Sequence, residues 1–405
     1  MPSERPIVIA GGGPVGVVTA LALAQQDLEV QVFEAEARVN DSPRAATTHA
    51  ATLEMLESLG IIEEVMRRGL IEPKFRIWDR PTREIIAEFD FGLLKNETRY
   101  PYVVQCEQHK LADIAVSRLR ALPNARVEFS ARVTSFVQHG DRVDVDVETT
   151  AGTRRVAASY LIGADGGRST VRKALDIEFE GYTHPERFLV LTTTHGFSGV
   201  LAECSRNYYS DPDEWAALFK VAGDDGKGRW RVLFPTRLNE TDERAFDEAA
   251  IQERLQKFFP KPGSYPVVHR NIYHVHQRVA ASFRRGRVFL AGDSAHVNNP
   301  LGGLGLNFGI HDGMELSSLL AHVIRKESSP QILEFYDRFR RPLNVEYVQQ
   351  QTVANKKRLE EKDPAARAKH HADLRATAAD PAAHRAYLLR ASLIDSVRKR
   401  QVAAA

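Results

Sequence analysis

Apolar and polar positions change period several times along this chain. Pro6 to Ala10 is a short apolar run, which predicts a buried strand. Glycines from Gly11 to Gly16 follow it, and Pro14 to Gln26 then carries small and apolar residues as a buried helix does. Glu29 to Phe33 (EVQVF) alternates with a period of two and ends at Glu34. Strand, glycine loop, helix, strand and acid in that order predict a βαβ unit. A further helix is expected over Thr52–Leu59, stopped by Gly60.

Beyond it, residues 73–91 (PKFRIWDRPTREIIAEFDF) read as two strands around a turn, and 108–121 as a helix. Residues 126–149 read as a hairpin turning at His139-Gly140-Asp141, and Val156–Ile162 as a strand entering Gly163. From 181 to 235, β-formers and aromatics separated by turn signals predict an inserted antiparallel sheet. Arg287–Ala291 (RVFLA) returns to the buried-strand pattern. From about Asp312 the chain reads as successive helices, broken near Pro330, Pro342, Pro364 and Pro381. The last 60 residues carry no chemical motif, so a helical cap on the second domain or on a partner subunit is expected.

Composition changes this picture little. The chain has 405 residues, 43% hydrophobic and 27% charged, which is ordinary for a globular protein. A net charge of +2 gives no electrostatic case for nucleic acid. The two cysteines, Cys106 and Cys204, form no CxxC pair, so neither a disulfide framework nor a metal site is expected. They read as ordinary thiols of a cytoplasmic protein. The N-terminal apolar run is shorter than a signal peptide requires, and no stretch approaches a membrane span.

Three glycine-bearing elements carry the chemistry. Gly11-Gly12-Gly13-Pro14-Val15-Gly16 fits GxGxxG between a strand and a helix. Gly11 permits the tight turn, Gly13 a close approach of backbone to pyrophosphate, and Gly16 helix-on-strand packing. The helix N-terminus, begun by Pro14 and Val15, offers free N–H groups to phosphates. Glu34 at the next strand end can accept ribose hydroxyls, which favours FAD or NAD over NADP at this loop. The second element is Gly163-Ala164-Asp165-Gly166-Gly167-Arg168-Ser169-Thr170-Val171-Arg172. On its residues alone it is a strand-to-helix loop with an Asp turn. The third is Gly292-Asp293-Ser294-Ala295-His296, followed by Pro300-Leu301-Gly302-Gly303-Leu304-Gly305-Leu306-Asn307-Phe308-Gly309. Such glycine density places backbone close against something.

Together, in this order and spacing, the three elements resemble the single-component FAD-dependent aromatic hydroxylases, the family of para-hydroxybenzoate hydroxylase. The resemblance spans roughly residues 5 to 345. It implies an α/β fold, in which a Rossmann-type FAD-binding domain is interleaved with an antiparallel β-sheet substrate domain and followed by a helical C-terminus. The expected boundaries are 1–72, 102–180 and 270–345 for the FAD-binding domain, 73–101 and 181–269 for the substrate domain, and 346–405 for the C-terminal helices.

The same resemblance implies residue roles. The first loop would hold the FAD diphosphate, Asp165 would lie near the pyrophosphate, and Asp293 would hold the ribityl chain. Arg44 and Gln108, surface polar residues on their own, would also touch FAD. Pro300 would lie beside the flavin ring, and the run from Gly302 through Gly303, Leu304, Gly305 and Leu306 to Asn307 would wrap its pyrimidine end, with helix N–H groups toward N1 and O2. Leu304 replaces the more frequent glutamine of the family, and its expected contact is through the backbone.

The activity implied is hydroxylation of a small aromatic compound: a phenol, an aromatic acid or a hydroxylated N-heterocycle. Co-substrates would be NAD(P)H and O₂, with a flavin C4a-hydroperoxide transferring the hydroxyl. Catabolic and biosynthetic settings, NADH and NADPH, the ring position and the catalytic base all stay open. Tyr209, Tyr273, His274 and His276 are weak candidates for a base, with structural roles the better reading; His296 is expected to serve the packing of its loop. The sheet offers Arg206, Tyr208, Arg229, Arg231 and Phe234 to a substrate, though solvent-facing strand arginines read equally well. A halogenase would carry WxWxIP, and Trp78, Trp215 and Trp230 do not form it. An epoxidase-type monooxygenase and a non-catalytic FAD-binding redox sensor or scaffold are the competing readings. Homodimers are common in the family, and no interface is legible in the chain.

Overall fold

The computed structural model describes residues 5–42, 44–197, 199 and 203–404. Its first sheet has six strands in the order 284–285, 288–290, 160–163, 7–10, 30–33 and 125–128. All neighbours are parallel except the 284–285 edge. The central strand Ile7–Ala10 is buried at every residue, so it reads as a continuous apolar run. The helix Pro14–Ala24 lies on one face of this sheet and is buried from Gly16 onward. It packs between the helices Gln108–Arg120 and Leu304–Ile324. On the other face sits a three-stranded meander, Ala131–Gln138, Val143–Thr149 and Gly152–Ala158.

The meander refines two sequence expectations. The hairpin does turn at residues 139–142, closed by His139 N–H donating to the Arg142 carbonyl at 2.8 Å. Residues 125–128, however, leave it and pair with the parallel sheet. The expected strand Val156–Ile162 is two: its first half completes the meander and Tyr160–Gly163 enters the parallel sheet. Both halves are β-rich, so periodicity could not show the change of partner at Ser159.

The second sheet has eight strands, ordered 296–297, 267–280, 179–193, 229–235, 216–221, 206–210, 74–79 and 84–90. Its two distant pieces join where Asn207–Ser210 pairs in parallel with Arg76–Asp79. Alternation sorts its faces. Phe188, Val190, Ala217 and Leu233 pack toward Leu301 and Leu359, while Leu189, Leu191, Leu218 and Phe234 pack beneath the helix Glu248–Phe258.

Helices from Leu304 onward complete the molecule. Pro342 does not break its helix as expected. Glu334–Asn344 runs through it, and a π turn at Val345–Gln349 continues the same helical path. The C-terminal helices lie on this same chain. Gln350–Glu360 packs on strand 206–210, Pro364–Ala379 on strand 84–90, and Pro381–Ala391 on the turn Phe91–Leu94. Ion pairs fasten them: Lys356 to Glu186 at 2.6 Å, Arg400 to Glu315 at 2.8 Å, and Arg367 to Asp79. No helix among the described residues is long and apolar enough to cross a membrane.

Candidate functional site

Strand order brings the three glycine elements together. Strands 30–33, 7–10, 160–163 and 288–290 are consecutive neighbours, and Glu34, the first loop, the Asp165 loop and the Asp293 turn all leave their carboxyl ends. That edge of an open parallel sheet is where such folds bind ligands. Backbone bonds tie the loops to each other. Gly11 N–H donates to Phe33, Ala164 N–H to Ala10 and Ala291 N–H to Gly163, at 2.8, 2.8 and 3.0 Å.

The glycines divide by what surrounds them. Gly11 has φ +108°, and a Cβ there would strike the Ala164 carbonyl. A Cβ at Gly16 would strike the Gly11 carbonyl. Both are required by the protein itself. At Gly13 a Cβ would meet nothing within 4 Å, so its glycine answers to no protein neighbour and leaves room for an outside group. The helix beginning at Pro14 has no side-chain cap and no acid in its first turn, so its N–H groups stay available. Glu34 borders this edge, accepting from Gly12 N–H at 2.5 Å and Glu36 N–H at 2.8 Å.

Asp165 and Asp293 differ sharply. Asp165 accepts from Ser169 Oγ, Thr170 N–H and Val171 N–H at 2.5, 2.7 and 3.1 Å. It caps its own short helix, the simple turn its residues alone suggest. Arg172, also in that element, donates to the Ser294 and Gly167 carbonyls at 2.8 and 2.9 Å and so clamps the second loop to the third. Asp293 has no hydrogen-bond partner among the described residues. It is surrounded by protein yet remains exposed, so it faces a recess. Burial raises its pKa, with His296 and Arg44 opposing. An unpartnered acceptor in a recess suits a hydroxylated chain.

Behind that turn lies a buried ionic network that sequence patterning did not reveal. Asp312 binds His296 Nε2 at 2.6 Å and Arg340 Nε at 2.8 Å, and accepts from Gly292 N–H at 3.2 Å. Burial pushes the Asp312 carboxyl up, but Arg340 and His296 outweigh it and hold the pKa below the usual range. His296 thus serves its loop, as its place in the motif suggests.

Gly303, in the left-handed region at φ +70°, caps the helix Leu304–Ile324. That helix also has no side-chain cap and no acid in its first turn, leaving the N–H groups of Leu304, Gly305 and Leu306 free of helical partners. The Leu304 side chain is buried in the core. Asn307 is occupied: it accepts from His49 N–H at 2.8 Å and donates to the Thr47 and Gly303 carbonyls at 2.8 and 2.6 Å. Gln108, at its own helix start, and Arg44, which is exposed, have side chains without hydrogen-bond partners among the described residues. Open glycine, orphan carboxylate and two uncapped helix starts fit FAD.

Beside Gly302 opens a pocket of about 700 Å³, part of it open to solvent. Its walls come from His49, from strand residues Phe75, Ile77, Arg206, Tyr208 and Ser210, and from the C-terminal helices. His49 Nε2 lies 2.8 Å from the Gly302 carbonyl, so that nitrogen carries the proton and Nδ1 is the lone-pair side. Nδ1 has no partner. Burial, with Arg206 adding to it, lowers the His49 pKa to about 3. Arg206 is 4% exposed and donates to Tyr208 Oη and the Gly302 carbonyl, each at 3.1 Å. Its Nη1 has no partner. A buried guanidinium with an unused donor is a ready anion site.

Residues 4–351 match the family described as FAD binding domain. The chain belongs to that family. It is 36% identical over 391 residues to para-nitrophenol 4-monooxygenase of Pseudomonas sp. strain WBC-3, covering 95% of this chain and 94% of that one. It is 33% identical to 6-hydroxy-3-succinoylpyridine 3-monooxygenase HspB of Pseudomonas putida, over 90% and 91% of the two chains. The crystal structure of p-nitrophenol 4-monooxygenase PnpA from Pseudomonas putida DLL-E4 superposes with a TM-score of 0.90 at 33% identity, covering 97% and 99%. The protein is therefore an FAD-dependent aromatic monooxygenase, with NAD(P)H as co-substrate.

The monooxygenase places the weaker candidates plainly. Tyr209 is on the opposite face of the sheet, stacked on Trp78 at 5.7 Å. Tyr273, His274 and His276 do not line the pocket. Of the sheet residues, Arg206 and Tyr208 border it, Arg229 pairs with Asp225 at 2.7 Å, Arg231 donates to the Arg44 carbonyl at 3.0 Å, and Phe234 packs on the far face. The C-terminal lining residues had no signal in the sequence beyond helical propensity.

Proposed function

We propose that this monooxygenase hydroxylates a single-ring phenol bound with its hydroxyl between His49 and Arg206. The carrying observation is that both side chains are buried, border one pocket and keep an unpartnered polar atom. The para-nitrophenol specificity of the relative supports a phenol. FAD would lie along the glycine loop with its diphosphate near Gly13 and the Pro14 helix start, its ribityl chain at Asp293 and its ring against Gly302–Leu306. Bound there, FAD supplies the redox chemistry, accepting hydride from NAD(P)H and activating O₂. Arg206 favours the phenolate, which activates the ring. Neutral His49 accepts the hydrogen bond of the entering hydroxyl through Nδ1. Phe75, Tyr208 and Leu304 keep the reacting centre dry. A cytoplasmic location is supported by the two free, buried cysteines.

The test is NADH and NADPH oxidation by the purified protein against a panel of phenols, aromatic acids and hydroxypyridines, with product analysis. Oxidation stimulated by a phenol, with a hydroxylated or quinone product, is expected. Stimulation confined to non-phenolic rings would reject the reading.

A further inference from the structure

A turn in the pocket wall leaves one polar group without a partner. Pro300 to Gly303 is a β-turn, closed by Gly303 N–H donating to the Pro300 carbonyl at 2.9 Å. Its third residue, Gly302, has φ +109°, while Leu301 before it has negative φ, which makes the turn type II. The backbone groups of the turn can be accounted for one by one. Leu301 N–H donates to Asn299 Oδ1 at 3.2 Å, and the Leu301 carbonyl accepts from Asn355 Nδ2 at 3.1 Å. The Gly302 carbonyl accepts from His49 and Arg206, and the Gly303 carbonyl from Asn307 Nδ2 at 2.6 Å. The Gly302 N–H alone has no partner among the described residues.

Side chains of the helix Gln350–Glu360 set the direction of that group. Gln351 and Asn355 lie one turn apart on it, and both line the pocket. Arg390, on the helix Pro381–Ala391, has donors alone, and its Nε donates to Gln351 Oε1 at 3.3 Å. Gln351 Nε2 is thereby turned to Asn355 Oδ1 at 2.9 Å, which leaves Asn355 Nδ2 for the Leu301 carbonyl. The C=O and N–H of one trans peptide point opposite ways. By holding the Leu301 carbonyl, Asn355 therefore aims the Gly302 N–H away from itself. A flip of that one peptide would convert the turn to type I, break the Asn355 bond and put a carbonyl oxygen where the donor now stands.

We propose that Asn355, oriented by Gln351 and Arg390, is a positioning residue for the flavin, fixing the Leu301–Gly302 peptide so that a donor and not an acceptor faces the ring. This rests on the ring lying against Gly302–Leu306. A donor there favours the electron-rich reduced ring over the oxidised one, so Asn355 acts on flavin potential as well as on affinity.

The test compares wild type with Asn355→Leu, Gln351→Leu, their double variant and Gly302→Ala. FAD Kd is read by titrating apoprotein, the potential of the bound flavin by reduction against a dye without substrate, and the fold by apoprotein melting. N355L has a similar size and no donor. It should weaken FAD binding roughly three-fold to ten-fold and lower the potential, with melting little changed. G302A should do the same, because φ +109° opposes a side chain and favours the flipped peptide. Q351L should move both readouts the same way by less, and add nothing in the N355L background. Weaker FAD binding in N355L at an unchanged potential would mean a merely structural role and overturn the proposal, as would full additivity of Q351L and N355L. Wild-type behaviour of N355L beside an altered G302A would overturn the role of Asn355 and leave the flavin placement standing. Wild-type affinity and potential in both variants would reject the placement itself.

Discussion

At the residue scale, glycines of one motif separate into two kinds. The spacing GxGxxG was legible in the chain; which glycine serves the fold and which serves the ligand was not, because that depends on what a Cβ would meet. Gly11→Ala should destabilise the apoprotein, since φ +108° and the Ala164 carbonyl both oppose a side chain. Gly13 has φ −67°, which alanine adopts freely, and open space beyond it. Gly13→Ala should therefore leave apoprotein melting unchanged while weakening FAD binding at least several-fold. Equal loss of melting temperature in the two variants would refute this division. Arg206 belongs to the same scale. Arg206→Met removes the cation that favours phenolate in the bound complex, so the acidic limb of kcat should move to higher pH by about one unit or more. An unmoved limb would place substrate ionisation elsewhere. Arg206 was visible as a strand arginine, but a strand pattern does not tell a pocket from solvent; its unpaired Nη1 does.

At the element scale, the parallel strands and their loops were legible because each is a local pattern of apolar run, glycine and helix. The seam between helices was less so. Cβ atoms at Gly309 and Gly313 would strike Val15, Gly292 and Thr19, so glycine on one face of Leu304–Ile324 lets that helix settle on Pro14–Ala24. Gly313→Ala should cost about 1–3 kcal/mol by overpacking, read from denaturant unfolding. Thr19→Ala in the same chain should recover much of it by removing the colliding Oγ1. No recovery would mean that the cost is not this contact. Asp312 and Arg340 escaped notice for a related reason. They are 28 residues apart on separate helices, and only packing makes them one buried network with His296. The C-terminal helices were legible as helices, yet their role as a pocket wall follows from Asn355 donating to the Leu301 carbonyl at 3.1 Å and Arg367 reaching Ser210 at 2.9 Å.

At the scale of the whole molecule, the sheet, the glycine loops and the C-terminal helices close around imidazoles kept neutral. His49 and His311 each have a pKa lowered to about 3, burial being the main cause; Arg206 adds to it at His49 and Arg340 at His311. His311 Nε2 lies 3.0 Å from Thr52 Oγ1, and His49 N–H donates to Asn307 Oδ1, so both rings sit where the helix Ala50–Ser58 meets the long helix Leu304–Ile324. In the unfolded chain these rings titrate near pH 6.5. Between about pH 6.5 and 3 the unfolded state binds protons that the folded state refuses. Stability from these two groups is therefore level above pH 6.5 and falls as the pH is lowered through that window. Each ring contributes a slope of about 1.4 kcal/mol per pH unit once its unfolded form is mostly protonated. Buried carboxylates such as Asp312, whose folded pKa is lowered, lose stability only at lower pH. A His49→Gln, His311→Gln double variant removes both imidazoles without introducing another titrating group. Its urea-unfolding free energy should gain on that of wild type as the pH falls from 6.5 to 4.5, whatever offset the substitutions impose at pH 7.5. Parallel pH profiles for the two proteins would show that these rings are protonated in the folded state, and with that the lone pair assigned to His49 Nδ1 in the substrate pocket would be lost.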